Sequence, residues 1–302
     1  MPQHVWVDGR ILPADAPAIS VFDRGFMLGD GIFETLRARR GVVVELDAHL
    51  ERLRESAVPL GIPLPPEDAP IVDGIAALLA AEGLADDGSS GHAPGDAALR
   101  ITVTRGAYAA RGLAPAGPSS GPSIVIVAWP HTGPAAAVLR DGLSLVTSSV
   151  RRDPGSPLAG VKTTSRAESV YARLEAERVG ADDALILDTT GHVSEATAAN
   201  VFAIRRGRLL TPPLGSGCLA GTTRAWLLEH GPAHDLMPEE EQLTRADLLH
   251  ADEVLLSSSV AGVLPVGWLD GDAIGRGGAG PITVQLRNQR EAWIDRLSRG
   301  PS

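Results

Sequence analysis

Lysine is almost absent from this 302-residue sequence, and the shortage makes the single exception informative. Lys162 is the only lysine, while the other 26 of the 27 basic residues are arginines. Arginine serves in most surface roles of lysine, but its guanidinium keeps its proton and therefore does not act as an amine nucleophile. Lysine does so once burial or a neighbouring cation lowers its pKa. The count alone leaves two interpretations open, a Schiff-base lysine and a remnant of an arginine-biased composition.

Other shortages limit the class of protein. The only cysteine is Cys218, so no internal disulfide is possible, which fits a reducing compartment. The formal net charge of −10 argues against nucleic acid or an anionic membrane surface as the main partner. The first residues lack a signal-peptide pattern, and no stretch reaches the roughly 18 apolar residues of a membrane helix. We therefore expect a cytoplasmic protein with no nucleic-acid partner, no membrane partner and no bound metal.

Turn signals divide the chain into two parts. Its length exceeds what one core normally holds, which suits two domains. The segment 130–137 is the predicted linker, because its prolines and small residues do not readily continue a strand or a helix. We therefore expect one domain over residues 1–129 and another over residues 138–302. Strands and helices follow one another without strict alternation, which predicts the α+β class.

The predicted elements follow from alternation, helical spacing and capping residues. The first part is predicted to contain a hairpin at 4–12, strands at 33–39 and 42–45, a helix capped by Asp47, a helix at 66–82, a flexible loop at 83–97, and strands at 98–104 and 123–129. The second part is predicted to contain strands at 143–148, 184–187, 200–205 and 253–257, a helix at 166–179 and a helix beginning near Thr222.

Glu195 is separated from Lys162 by one predicted helix and one predicted strand, so neighbouring elements could bring the two side chains together. A Schiff-base lysine typically serves pyridoxal phosphate, which withdraws electrons well only while its ring nitrogen stays protonated. A carboxylate against that nitrogen has this effect, which makes Glu195 the candidate. The alternative is an ordinary glutamate in a surface turn.

Two hydroxyl-rich stretches are typical of phosphate binding. Gly221, Thr222 and Thr223 open an apolar-periodic helix, where backbone N–H groups and the helix dipole attract a dianion. A serine run at 257–259 ends an apolar strand and offers a second contact. Each stretch also has a plain interpretation, as a helix cap or as a strand end.

Ordered motifs along almost the whole chain resemble one family, the class IV pyridoxal-phosphate enzymes, which include D-amino-acid transaminases, branched-chain transaminases and aminodeoxychorismate lyases. The motifs lie at 23–37, 49–53, 161–162, 193–202, 221–224 and 265–266. The resemblance implies a small N-terminal α/β domain and a larger C-terminal domain with a pseudo-barrel core. It also implies a homodimer with pyridoxal 5'-phosphate held between the domains.

The resemblance assigns roles to individual residues. Lys162 would form the Schiff base and move the substrate α-proton, and Glu195 would meet the pyridine nitrogen. Arg52 would clasp the phosphate, although a helix-surface arginine is the alternative because Arg54 lies beside it. Leu219 would pack on the cofactor ring. The other implied cofactor contacts are Gly221, Thr222, Thr223, Ser258, Ser259 and Arg166, the last standing where branched-chain members look to carry a tyrosine.

The substrate must present a primary amine, because only an amine exchanges with a Schiff base. Its carboxylate needs a cation. Arg105 lies in a glycine-bearing loop that resembles the arginine-glycine loop of D-amino-acid transaminases and lyases, so it is the predicted carboxylate binder, with Arg111 and Tyr108 as helpers. A solvated loop arginine is the alternative. Phe33 and Arg24 are predicted to line the pocket.

Three functions fit these residues. The favoured one is transamination from a D-amino acid, and also from (R)-amines, to a keto acid such as 2-oxoglutarate or pyruvate, because the serine run at 257–259 resembles that of D-amino-acid transaminases. The second is a 4-amino-4-deoxychorismate lyase that releases pyruvate and 4-aminobenzoate, with which Arg166 and the arginine-glycine loop are compatible. The third is a non-catalytic pyridoxal-phosphate carrier, against which Arg105 argues, because a carrier needs no substrate cation.

Overall fold

A computed structural model describes residues 1–16, 18–85, 96–109 and 112–299 as two compact units. The first unit comprises Met1–Thr132, Val161–Ser165 and Ile294–Ser302, and the second comprises Gly133–Gly160 and Arg166–Trp293. The domain limits assigned from the sequence remain predictions. The segment Val161–Ser165, which contains Lys162, belongs to the first unit, although it lies within the range predicted for the second domain.

The first unit contains a six-stranded antiparallel sheet and three helices. Its strands are β1 (His4–Val7), β2 (Arg10–Pro13), β3 (Gly31–Arg39), β4 (Val42–Val43), β5 (Asp96–Thr104) and β6 (Ser123–Pro130), and its helices are α1 (Arg24–Leu28), α2 (Leu46–Leu60) and α3 (Ala69–Ala81). The strand order is β2-β1-β6-β5-β3-β4. This arrangement confirms the hairpin, the strands and the two longer helices predicted for the first part of the chain.

Turn residues account for two of these connections. Asp8 and Gly9 have φ values of 47° and 91°, as a two-residue hairpin between β1 and β2 requires. Helix α2 begins at Leu46 after Glu45, whose φ is 54°. Asp47 therefore lies inside the first turn, where its carboxylate faces the positive end of the helix dipole, and the capping role predicted for it is wrong. The predicted loop at 83–97 lies mostly outside the described residues.

Helices α2 and α3 pack on the sheet and enclose the core of the first unit. Every second residue of β5 and β6 contributes an apolar side chain to that core, including Leu99, Ile101 and Ile126, which are fully buried. Gly74 allows α3 to approach the sheet closely, because a Cβ atom at this position would lie 2.6 Å from the Trp6 ring.

The second unit contains a nine-stranded mixed sheet. Its strands are β7 (Leu143–Arg152), β8 (Asp183–Asp188), β9 (Val193–Ala196), β10 (Asn200–Arg205), β11 (Arg208–Thr211), β12 (Met237–Glu240), β13 (Glu253–Ser258), β14 (Gly262–Leu269) and β15 (Asp272–Ala273). The helices are α4 (Ala136–Asp141), α5 (Ala167–Val179), α6 (Thr222–His230), α7 (Arg245–Leu249) and most of α8 (Pro281–Ser298). The order is β12-β11-β10-β13-β14-β7-β8-β9, and β15 pairs with β14.

The mixed order of elements confirms the predicted α+β class. Strands β8 and β9 are buried along their whole length, and all but the last residue of β10 and β13 are buried. This burial explains the apolar runs at the centres of β8, β10 and β13. Within the described part of the chain, no helix combines the length and the apolar composition that crossing a membrane requires.

Candidate active site

The segment that contains Lys162 lies along the beginning of β3. The backbone N–H of Phe33 donates to the Lys162 carbonyl at 3.0 Å, and the N–H of Thr164 donates to the Gly31 carbonyl at 2.9 Å. The Lys162 N–H donates to Ser56 Oγ on α2 at 3.3 Å. These three bonds fix the backbone on both sides of the lysine. Lys162 is thus presented by a segment held against β3 and α2.

The side chain of Lys162 lies against an aromatic ring. Its Nζ atom is 4.5 Å from the centroid of the Phe33 ring, and the guanidinium of Arg100 is 3.8 Å from the same centroid. Phe33 itself is buried. Phe33, predicted as a wall of the pocket, is therefore adjacent to the predicted nucleophile. Arg100 is a second cation at the same ring, which no sequence pattern indicated.

Arg52 belongs to a buried charge cluster. Its Nε and Nη2 atoms donate to the two carboxylate oxygens of Glu34 at 2.7 Å each, and His49 Nδ1 lies 2.7 Å from Glu34 Oε2. Burial alone would raise the pKa of Glu34, but hydrogen bonds from Arg52 and His49 lower it to about 2. Burial, the largest cause, lowers the pKa of His49 despite the attraction of Glu34.

The cluster excludes the alternative that Arg52 is an arginine on the helix surface. Arg52 is buried and its orientation is fixed by a side-on carboxylate, whereas Arg54 is half-exposed and pairs with Asp68. Glu34 and His49 were missed from the sequence. The sequence showed only that His49 and Arg52 are three residues apart on one face of α2, and nothing in it indicated that Glu34 of β3 packs against that face.

Asp30 joins two of the arginines that were assigned to the pocket. Arg24 Nε and Arg105 Nε both donate to Asp30 Oδ2 at 2.8 Å, and Arg105 Nη2 donates to Oδ1 at 3.0 Å. Burial opposes ionisation, yet the hydrogen bonds from Arg105 and Arg24 bring the pKa of Asp30 below its ordinary value. The guanidinium of Arg105 is therefore engaged within the protein, which does not favour its predicted role as a carboxylate binder. That role remains a prediction.

The helpers predicted for Arg105 are only partly described. Tyr108 is half-buried, and its ring centroid lies 5.8 Å from the guanidinium of Arg24. Arg111 lies outside the described residues. The structure therefore brings Arg24, Asp30, Arg105 and Tyr108 into one cluster of the first unit.

Glu195, in the second unit, lies on strand β9 and not in the turn that the sequence suggested, because Leu185–Leu187 pair with the 193–196 segment. It is nine-tenths buried. Arg152 Nη2 donates to Glu195 Oε1 at 2.8 Å, and the Leu219 N–H donates to Oε2 at 3.0 Å. A carboxylate has about four acceptor positions, so two remain for a further donor. The alternative of a surface glutamate is thereby excluded.

The two predicted phosphate-binding stretches meet at the start of α6. Thr222 Oγ1 lies 3.3 Å from Ser259 Oγ, and Thr223 Oγ1 donates to the Ser258 carbonyl at 3.1 Å. Gly221 occupies the N-cap, and a Cβ atom there would lie 2.1 Å from Asn200 Oδ1. Asn200 also donates to the Leu219 carbonyl at 2.8 Å, so β10 supports this turn. The four predicted residues and Gly221 thus converge on one helix N-terminus.

Arg166 lies at the N-cap of α5 and donates from Nη2 to the Thr197 carbonyl. Burial lowers the pKa of its guanidinium most, the charge of Glu195 raises it, and the charge of Arg152 lowers it. Arg166, Arg152 and Glu195 are therefore electrostatically coupled. Arg152 was missed from the sequence, where it lies beyond the end of the strand predicted at 143–148.

Comparison with known proteins gives the family. Residues 31–267 match the class IV aminotransferase family. The chain belongs to this family. A Methanocaldococcus jannaschii protein provisionally named as a branched-chain-amino-acid aminotransferase is 34% identical over 286 residues, which cover 94% of each chain. The D-alanine aminotransferase of Bacillus licheniformis is 29% identical over 283 residues, again 94% of each chain.

Solved structures of aminotransferase-family enzymes share the fold. The branched-chain amino acid aminotransferase of T.th., solved with pyridoxamine 5'-phosphate, superimposes with a TM-score of 0.88 at 26% identity, covering 100% of this chain and 96% of that one. The 4-amino-4-deoxychorismate lyase from Pseudomonas aeruginosa superimposes with a TM-score of 0.80 at 33% identity, covering 96% of this chain and 99% of that one. The family resemblance and the two-domain α+β fold expected from the sequence are confirmed.

Proposed function

We propose that this class IV aminotransferase uses pyridoxal 5'-phosphate to move the amino group of a D-amino acid to a keto acid such as 2-oxoglutarate or pyruvate. One combination of residues carries the proposal: the chain has a single lysine, and its second unit contains a buried carboxylate, Glu195, and the hydroxyl pair of Thr222 and Ser259 at the start of α6. This cofactor needs an amine, an acceptor for a ring N–H and donors for a phosphate.

The residues fit the cofactor at both ends. At the phosphate end, Gly221 allows Asn200 to lie close to the start of α6, and a helix N-terminus with two hydroxyls attracts a dianion. At the ring end, Arg152 and the Leu219 N–H hold the carboxylate of Glu195 in place and leave acceptor positions for a ring N–H. We assign Leu219 to the apolar contact with the ring.

Pyridoxal phosphate, when bound, supplies an aldehyde that exchanges amines and a ring that withdraws electrons. Lys162 Nζ would hold that aldehyde and would take the α-proton of the substrate. Glu195 would accept a hydrogen bond from the protonated ring nitrogen. Arg52 would provide a cation for the phosphate, and Glu34 holds the Arg52 guanidinium in its orientation.

Two observations support a D-amino acid as the donor. The segment after β5 begins with Arg105 and Gly106, and β13 leads into the serine run at 257–259, features that resemble D-amino-acid transaminases. A D-alanine aminotransferase is also similar to the chain over 94% of its length. Relatives named for branched-chain amino acids make L-leucine and L-valine the competing donors, and (R)-amines are further candidates.

A second candidate is elimination of pyruvate from 4-amino-4-deoxychorismate with release of 4-aminobenzoate. The similarity to the Pseudomonas aeruginosa lyase, at 33% identity over 96% of this chain, favours it. The same residues would serve this reaction, because both reactions begin with removal of a proton by a lysine while the ring withdraws electrons.

A half-reaction screen tests the proposal. Holoenzyme is mixed singly with D-alanine, D-glutamate, L-leucine and L-valine without a keto acid, and we expect D-alanine to remove the yellow absorbance of the lysine-bound cofactor while pyruvate is released. Lys162→Ala is the control that must not respond. Conversion by L-leucine with inert D-alanine would contradict the D-amino-acid assignment, and pyruvate from aminodeoxychorismate without a keto acid would establish the lyase.

A further inference from the structure

Asp30 is the centre of a clamp formed with Arg24 and Arg105. All three side chains are largely buried, with exposed fractions of 12%, 7% and 9%. Both Nε atoms donate to one carboxylate oxygen at 2.8 Å. Two buried guanidinium groups on one carboxylate would leave uncompensated charge if that carboxylate were removed, so the arrangement depends on Asp30.

The remaining N–H groups of the clamp hold the backbone of two segments. Arg105 donates from Nη1 to the Gly61 carbonyl at 2.9 Å and from Nη2 to the Leu60 carbonyl at 2.5 Å, where α2 ends. Arg24 donates from Nη1 to the Gly112 carbonyl at 2.9 Å and from Nη2 to the Leu113 carbonyl at 2.5 Å. The guanidinium of Arg105 thus donates two hydrogen bonds to Asp30 and two to backbone carbonyls.

The backbone beside Asp30 also holds the lysine segment. The Gly29 carbonyl accepts from Thr164 Oγ1 at 2.9 Å and from Ser165 Oγ at 3.1 Å, and the Gly31 carbonyl accepts from the Thr164 N–H. Asp30 itself accepts the Arg105 N–H through its backbone carbonyl at 3.2 Å. Residues 29–31 thus connect the loop after β5 with the segment that follows Lys162.

We propose that Asp30 is a positioning residue for substrate recognition, and that Arg105 acts as part of its clamp and not as the direct partner of the substrate carboxylate. The clamp fixes residues 105–109 and 112–113 relative to the Lys162 segment. The inference rests on the proposed function, because the loop is assigned to the substrate through that function. Direct binding by Arg105 would require its guanidinium to leave a buried ion pair and two backbone carbonyls.

Steady-state kinetics of the holoenzyme separate the two roles. If the clamp acts as a whole, Asp30→Asn and Arg105→Lys disrupt the same interaction. Each substitution should then raise KM for the amino donor roughly tenfold and change kcat less. The KM of the double variant should be no higher than that of the worse single variant. If Arg105 bound the carboxylate directly, Asp30→Asn would release it and KM would fall or stay unchanged while Arg105→Lys raised KM. That second pattern overturns the proposal. Asp30→Glu retains the charge and should recover part of the lost affinity.

Asp96→Asn is the matched control. Asp96 also accepts from two arginines, Arg37 at 2.7 Å and Arg39 at 2.7 Å and 2.9 Å, and its exposed fraction is 18%. It begins β5, whereas Arg105 follows the end of the same strand, roughly 30 Å away at about 3.3 Å per residue. The control variant should therefore leave KM unchanged. If Asp96→Asn raised KM equally, the rise in KM of Asp30→Asn would reflect general instability, and the proposal would be overturned.

Amide hydrogen exchange tests the clamp without turnover. In Asp30→Asn, peptides covering 105–109 should exchange roughly tenfold faster than in the wild type or in Asp96→Asn, because the backbone loses its anchor. Unchanged exchange overturns the proposal even if the enzyme is active. If the wild-type protein transaminates no amino acid, the proposed function fails while accelerated exchange still supports the clamp, so the two failures remain distinguishable.

Discussion

At the scale of single residues, Glu34 is the carboxylate at the centre of the buried charge cluster in the first unit. Its carboxylate is fully buried and pairs with Arg52 and His49. Glu34→Gln would leave Arg52 buried beside a neutral amide, so we expect a loss of about 3–5 kcal/mol in the free energy of unfolding at pH 7. Urea unfolding measures the loss. Glu51→Gln, at an exposed position on the same helix, is the control, and an equal effect of the two substitutions would contradict the role of Glu34.

The same pair gives the protein an acid-sensitive stability. The pKa of Glu34 is about 2 in the folded chain against an ordinary 4.5, so its contribution is complete above pH 4.5 and is lost as the pH falls toward 2. The pKa of His49 lies below its ordinary 6.5, so stability also decreases as the pH falls through 6.5. Urea unfolding between pH 7 and pH 3 should show both losses. In Glu34→Gln the loss below pH 4.5 should shrink, and an unchanged profile would contradict the assignment.

At the scale of elements, the start of α6 depends on Gly221. A Cβ atom there would lie 2.1 Å from Asn200 Oδ1, so Gly221→Ala must displace either the helix or β10. We expect this variant to retain pyridoxal phosphate at least roughly tenfold more weakly, because the N–H groups and hydroxyls no longer converge. Equilibrium dialysis measures retention. Gly215→Ala, where a Cβ atom meets nothing within 4 Å, is the control, and equal retention by both variants would contradict the phosphate assignment.

The sequence predicted correctly those elements that form through interactions between residues close to one another in the chain. The Asp8-Gly9 turn, the apolar run of β8 and the hydroxyls after Gly221 each act through neighbouring residues, and the structure has them where they were expected. Helix α8 was missed although Gly280 and Pro281 mark its start, because its polar, arginine-rich sequence has only a weak apolar face.

Long-range pairings of the site could not be predicted in this way. Glu34 meets Arg52 and Asp30 meets Arg105 only because strands and helices distant in sequence pack together. A charged residue in a strand gives no sign of its partner, so the sequence assigned Arg105 to a ligand, whereas in the fold its guanidinium pairs with Asp30. The pairing of β8 with β9 likewise moved Glu195 from a turn to a buried strand.

At the scale of the whole molecule, exposed apolar side chains cluster in one stretch. Phe22, Phe26 and Met27 are 63%, 74% and 56% exposed, and Ile19, Val21 and Leu28 are exposed beside them. Contiguous patches of this kind mark interaction sites.

We propose that this stretch contributes to a homodimer, as the family resemblance implies. Phe26→Glu should shift the sedimentation of the protein from dimer to monomer. Val58→Glu, at an isolated position 77% exposed on α2, should not, and a Phe26→Glu protein that remains dimeric would contradict the assignment.

The attachment of the cofactor at Lys162 is the claim on which the proposed reaction depends. Borohydride reduction of the purified holoprotein, followed by peptide mass spectrometry, measures it most directly, because the chain offers no second lysine to compete. The expected result is one pyridoxyl phosphate group on the peptide that contains Lys162. Recovery of that peptide at its unmodified mass from a fully reduced holoprotein would contradict the account.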